Sequence, residues 1–182
     1  MKYSVITAGA ENEYMKQLTA VLKEDGHQVS AQRDKADMLI FAIDPFECDG
    51  NDYEKFLENY EIYSMGLVRT VNEVLPFLKE SSIKRLCFLT TLSSGINNVS
   101  SKDHWERIIG ASCNMAIRTF FNHYNREGYT FRVFGVNDFS EDSASRAAEY
   151  FLQNRSLEEE SDLHSDEKRL VMRDRYEREY AW

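Results

Sequence analysis

A disulfide framework, a membrane-length apolar run and a basic surface are all missing from this 182-residue chain. Its three cysteines (Cys48, Cys87 and Cys113) share no C-x-x-C spacing, and an odd count fits reduced thiols better than paired ones. Cys87 and Cys113 sit in apolar surroundings and read as small core residues. No apolar stretch approaches the ~20 residues needed to span a bilayer, and the opening MKYSVITAGA is too short and polar for a signal peptide. A cytoplasmic location is therefore expected. With only two prolines and 42% hydrophobic residues, the chain reads as a regular globule and not a disordered one. Basic residues number 22 against 31 acidic, a net charge of −9, which argues against nucleic-acid or anionic-membrane partners. The four histidines (His27, His104, His123 and His164) form no ligand pair at helical spacing. Neither an internal repeat nor a linker is visible, so residues 1–182 make one domain around a single core.

What is present alternates between strand and helix signals. Tyr3 to Ala8 is a β-rich opening ending at Gly9, and Glu13 to Glu24 carries a helical stripe of Met15, Leu18, Val21 and Leu22. Asp25-Gly26 stops that helix, and Gln28 to Gln32 makes a short strand. Met38 to Ile43 is nearly all apolar, as a strand covered on both faces must be. A long amphipathic helix is predicted over Asp52–Glu80, then a buried strand at Lys84–Thr90 and a helix over residues 103–125, closed by Gly128. Tyr129–Val136 reads as a strand and Ser143–Gln153 as a helix. Leu157–Lys168 is an acidic loop, Arg169–Met172 a last strand, and Tyr176–Trp182 a polar-aromatic tail. Such alternation implies a three-layer α/β sandwich, Rossmann-like, with a mainly parallel sheet of about six strands.

The segment from Trp105 to Tyr124, with a Ser93-Ser94-Gly95 turn before it, resembles the active-site region of the short-chain dehydrogenase/reductase family. That family places a serine after a central strand, a tyrosine about thirteen positions on and a lysine four beyond. The resemblance continues along the chain. Ala8-Gly9-Ala10, then Glu13 and Met15, falls on the family's TGxxxGxG loop, and Asp37 to Asp44 on its D-x-L-V-N-N-A-G strand. Gly66 and Leu75-Pro76 match its long fourth helix, and Arg132-Val133 its sixth strand. The chain is shorter than the family norm, lacking one strand–helix pair between Gln32 and Asp37 and the lid after Val136.

The resemblance implies a dinucleotide site and a proton-transfer site, and the residues depart from both. Glycines in the first loop let backbone N–H groups approach a pyrophosphate at a helix N-terminus. Gly9 is kept, but Glu13 and Met15 replace the later glycines. A carboxylate ~4 Å from a phosphate charge would cost on the order of 4 kcal/mol at an effective dielectric of ~20, roughly half the binding free energy of a micromolar ligand. Ser93 falls on the family serine, Glu106 on its tyrosine, Gly110 on its lysine and Tyr63 on its helix-four asparagine. Glu106 could supply a proton only if burial raised its pKa, and Gly110 replaces neither function of a lysine. Ser-Ser-Gly after a strand is also ordinary turn chemistry. Arg33 falls on the position that chooses between cofactors, where an arginine suits a 2′-phosphate, or is simply a surface charge.

Two further features are open to more than one reading. The acidic loop from Asp44 to Asp52 sits at a strand's carboxyl end and could hold a hard cation, but it matches no calcium-loop spacing and equally caps the following helix. No metal is expected. The apolar stripes of helices 52–80 and 103–125 correspond to the family's dimer-forming helices, which implies a two-fold homodimer; they could also only cover the sheet. The leading expectation is a short-chain-dehydrogenase-like protein without its usual NAD(P) site or hydride-transfer residues, a dimeric binding or scaffolding unit with no bound cofactor. The alternative is a divergent NAD(P)-dependent oxidoreductase using Ser93, Glu106 and Tyr63, with Gly9, Glu13, Met15, Arg33 and Asp44 at the cofactor positions. A third class, an enzyme built on the Asp44–Asp52 loop, would be a different chemistry altogether.

Overall fold

The computed structural model of the protein describes residues 2–32, 34–43, 52–95 (Ser93 as backbone only), 104–136, 139–153, 166 and 169–180. In chain order the elements are β1 (Ser4–Gly9), α1 (Glu13–Glu24), β2 (Gln28–Ser30), β3 (Met38–Ala42), α2 (Tyr53–Asn59), a π-helical turn (Tyr60–Met65), α3 (Gly66–Leu78) and β4 (Arg85–Thr91). A 3₁₀ turn (Leu92–Ser94) leads to α4 (His104–Tyr124), β5 (Thr130–Val136), α5 (Glu141–Leu152), β6 (Met172–Arg173) and β7 (Glu179–Tyr180). The sheet order is β2-β1-β3-β4-β5-β6-β7. The first five pairings are parallel and only β6–β7 is antiparallel. β3 and β4 are buried along their whole length, which is why they read as unbroken apolar runs.

The Rossmann-like α/β class holds, with three differences of detail. Among the described residues the sheet has seven strands, one beyond the six expected, because the tail contributes β7. Asp174 makes that hairpin: its Oδ1 accepts the amides of Tyr176 and Arg178, both at 2.9 Å, and its Oδ2 accepts Arg178 Nε at 2.8 Å. Burial alone would raise the Asp174 carboxyl, but the Arg178 guanidinium and the two amides hold it below the usual carboxylate range. Second, β6 is Met172–Arg173 and not Arg169–Met172. Third, the predicted helix over Asp52–Glu80 is continuous but contains the π turn, which shifts the phase of its stripe. Past that turn Leu67, Val71, Val74, Leu75 and Leu78 are buried, whereas Leu57 before it is exposed.

Between β2 and β3 there is no strand–helix pair. A three-residue strand climbs only about 10 Å, and residues 31–37 return the chain directly to β3. Asp37 secures the return, accepting the Ser4 amide at 2.9 Å and the Ser81 hydroxyl at 2.8 Å.

The two faces of the sheet are built differently. Phe131 meets Phe121 of α4 edge-on on one face, and Phe134 meets Phe151 of α5 on the other. Both crossovers nevertheless step the same way along the sheet, β4 to β5 and β5 to β6. They therefore have opposite hands. The connections through α1, α3 and α4 agree with one another, so α5 makes the disfavoured left-handed one. Two buried arginines secure it. Arg85 Nη1 donates to the carbonyls of Phe151 (2.6 Å) and Gln153 (3.0 Å), and Arg132 lies over the Tyr150 ring at 5.3 Å. Cations at the carboxyl end of a helix satisfy orphan carbonyls and its dipole together. Asp166, buried beside Tyr150, accepts both arms of Arg173 at 2.7 and 2.8 Å. Burial pushes its carboxyl upward, but Arg173 and Arg132 outweigh that and hold it low.

Candidate functional site

Among the described residues, two mouths open at the carboxyl end of the parallel strands, where open α/β sheets place ligands. The first lies between β1, the start of α1 and the end of β2. It is a cavity of about 300 Å³ bordered by Ala8, Gly9, Glu11, Asn12, Met15 and Ala31, among others. Gly9 has φ +88, and a Cβ there would stand 2.1 Å from the Ala42 carbonyl oxygen. Glycine is thus required by the approach of the turn to β3, which the Ala10 amide closes by donating to Ala42 O at 2.9 Å. Asn12 caps α1, its side-chain oxygen accepting the Met15 amide at 3.0 Å. One of the free helix-end amides that would face an anion is already engaged.

The replaced glycine positions differ in consequence. Met15 borders the cavity while its side chain packs into the core. Glu13 is not on the cavity wall: its carboxylate lies in solvent, 3.3 Å from Lys16 Nζ. The repulsion expected of Glu13 is thereby reduced, and Glu11 is the acidic residue on the cavity border.

The second mouth lies between the end of β4 and the first turns of α4. Its cavity of about 320 Å³ is lined by Ser94, Gly95, His104, Arg107, Ile108 and Ala111. These are the neighbours of the expected residues: Ser94, Arg107 and Ala111 repeat the family's spacings one position later than Ser93, Glu106 and Gly110. Glu106 is half-buried and Tyr63 buried on the π turn; both are engaged by neighbouring groups. Gly110 faces the turn, where a Cβ would come within 2.4 Å of Ser94 Cβ. Helix and turn touch there, so a lysine does not fit without displacing one of them.

Ser94 is fully committed inward. Its hydroxyl donates to Thr91 O at 2.6 Å, and so must accept from Thr90 Oγ1 at 3.0 Å; Asn114 Nδ2 donates to it at 3.2 Å. One proton and two lone pairs exhaust a hydroxyl. Asn114 Nδ2 also donates to Ser94 O at 3.2 Å, which fixes the amide's orientation. On the opposite side of α4, the Ser64 hydroxyl of the π turn meets Ser112 Oγ at 2.5 Å and Cys113 Sγ at 3.7 Å. Burial pushes the Cys113 thiol up to about 11, beyond what its hydroxyl partners offset, so it is not a nucleophile at neutral pH.

The Ser93 side chain, Arg33 and the Asp44–Asn51 part of the acidic loop lie outside the described residues. Among the described residues no group of three or more His, Cys, Asp or Glu could hold a metal ion, and no helix is long and apolar enough to cross a membrane.

No protein-family model and no curated protein matches the chain in sequence. Solved structures do share its architecture. It superposes over 98% of both chains on Sniffer of Caenorhabditis elegans, a candidate carbonyl reductase, with TM-score 0.74 and 13% identity. Over 100% of both chains it matches a carbonyl reductase from Pseudomonas aeruginosa PAO1 in complex with NADP, with TM-score 0.70 and 12% identity. A candidate short-chain alcohol dehydrogenase from Burkholderia multivorans matches over 98% of this chain and 87% of its own, with TM-score 0.64 and 12% identity. The chain has the short-chain dehydrogenase/reductase fold.

Proposed function

From that fold we propose that this protein is a short-chain dehydrogenase relative that has lost hydride transfer and serves as a dimeric binding or scaffolding unit. One observation carries the reading. At the β4–α4 mouth the Ser94 hydroxyl is consumed by Thr90, Thr91 and Asn114, while Arg107 and Ala111 occupy the spacing of the proton donor and its lysine. A serine with no spare valence cannot orient a substrate carbonyl, and an arginine does not release its proton at physiological pH. The Asn12 cap, and acidic Glu11 on the border of the other mouth, oppose a diphosphate there. In support of a dimer, Leu57, Ile62 and Met65 on the α2–α3 run and Ile108 and Met115 on α4 are exposed apolar side chains. Calorimetry with NADH and NADPH should show no binding tighter than millimolar, and light scattering should give twice the chain mass. Micromolar cofactor affinity with carbonyl-dependent oxidation of NADPH would overturn the catalytic half of this reading; a monomer at all concentrations would overturn the other.

A second reading, a divergent NAD(P)-dependent oxidoreductase, draws on the open cavity of about 300 Å³ beside Gly9. It would hold the nucleotide in an altered pose and move protons through Ser93, Glu106 and Tyr63. Turnover of a carbonyl panel that disappears in Ser93→Ala would establish it, and absence of any cofactor-dependent turnover would remove it.

A further inference from the structure

We propose that the cavity at the β4–α4 mouth binds a small organic carboxylate with an apolar body, anchored by Arg107. The proposal rests on the reading that this mouth no longer performs hydride transfer, and it names what the vacated chemistry selects. The wall is unusual for this protein. In a chain with 31 acidic and 22 basic residues, the described lining carries an arginine and a histidine but no carboxylate. Arg107 and His104 lie in the first turn of a 21-residue helix, where the macrodipole adds to their preference for negative charge. Glu106 in the same turn is not part of the lining.

Shape and polarity narrow the anion. At about 320 Å³ the cavity is much larger than one phosphate, and Ile108 and Ala111 continue the same face of α4 with apolar side chains. A planar guanidinium pairs with a planar carboxylate through two parallel hydrogen bonds. The Ser94 hydroxyl, already saturated, offers nothing to a carbonyl or alcohol. An aromatic or branched acid therefore fits better than a neutral ketone.

Trp105 reports on the site, because its ring lies 4.7 Å from that of His104. In a Trp182→Phe background its fluorescence is titrated with benzoate, benzamide and inorganic phosphate, in the absence of any nucleotide. Benzoate should saturate at millimolar concentration or below, at least tenfold tighter than benzamide and phosphate. Arg107→Gln should weaken benzoate at least tenfold, and Ala111→Phe, which fills the cavity without touching its charge, should abolish binding. Equal affinities for benzoate and benzamide, no benzoate response, preference for phosphate, or unchanged affinity in either folded variant would each overturn the proposal. Because no nucleotide is present, benzoate binding is independent of the cofactor result. An active oxidoreductase that still binds benzoate would refute only the loss of hydride transfer, and a nucleotide-free protein that ignores benzoate would refute only this ligand.

Discussion

At the β1–α1 mouth the group that engages the helix amide is Asn12, three residues before the amide it caps. At the β4–α4 mouth the groups that exhaust Ser94 are Thr90, Thr91 and Asn114, the last twenty residues away on α4. Both mouths keep a close backbone approach, Gly9 against Ala42 and Gly110 against Ser94. They differ in how the approach is used. The first is a local cap over an open cavity, and its polar groups could in principle be exchanged for a ligand's. The second is a buried network that ties a turn to a helix, and undoing it breaks tertiary structure. The first mouth can be reopened by mutation; the second must be dismantled.

That contrast is tested most severely at the two glycines. Gly9→Ala combines a left-handed φ with a Cβ that meets the Ala42 carbonyl, so stability should fall by about 3 kcal/mol or more in urea denaturation. A neutral result would mean that the turn is not held against β3. Gly110→Ala should cost about 1–3 kcal/mol through overpacking against Ser94, reduced by the gain in helix propensity of about 1 kcal/mol. Gly110→Lys should be worse than Gly110→Ala and should restore no NADPH binding; a lysine variant that is stable and binds cofactor would show that the helix and turn can part.

Smaller effects separate network from cap. Asn114→Ala removes two hydrogen bonds to Ser94 and leaves its hydroxyl short of a donor, which should cost about 1–3 kcal/mol. Substituting Thr90→Val as well should cost less than the sum of the two single changes, since both partners serve one oxygen. Asn12→Ala should cost about 1 kcal/mol. Unlike the Asn114 change, it should leave thermal unfolding as cooperative as before. If Asn12→Ala instead proved the more damaging, the distinction between a local cap and a structural network would be wrong.

Much of this was legible from the residues. The alternation of apolar strands with striped helices gave the α/β class, and the short stretch between Gln32 and Asp37 is indeed a direct return with no strand–helix pair. The cofactor-loop substitutions at Glu13 and Met15 were visible, but their meaning was not. Glu13 is exposed beside Lys16, and Glu11, unremarked in the sequence, is the acidic residue on the cavity border. The cavity is lined by Ser94, Arg107 and Ala111, each one position after Ser93, Glu106 and Gly110. Ser93 and Ser94 are chemically identical letters, and only the fold of the 3₁₀ turn places Ser94, Arg107 and Ala111 on the cavity.

By itself the sequence determined the elements and their layer, because strand and helix periods and turn residues act over a few positions and survive any change of partner. Tertiary structure alone decided the hand of the α5 connection, the acidic residue that borders the first cavity and the partners of Ser94. Those depend on groups brought together from distant parts of the chain, whose hydrogen-bonding valences can be counted only once they meet.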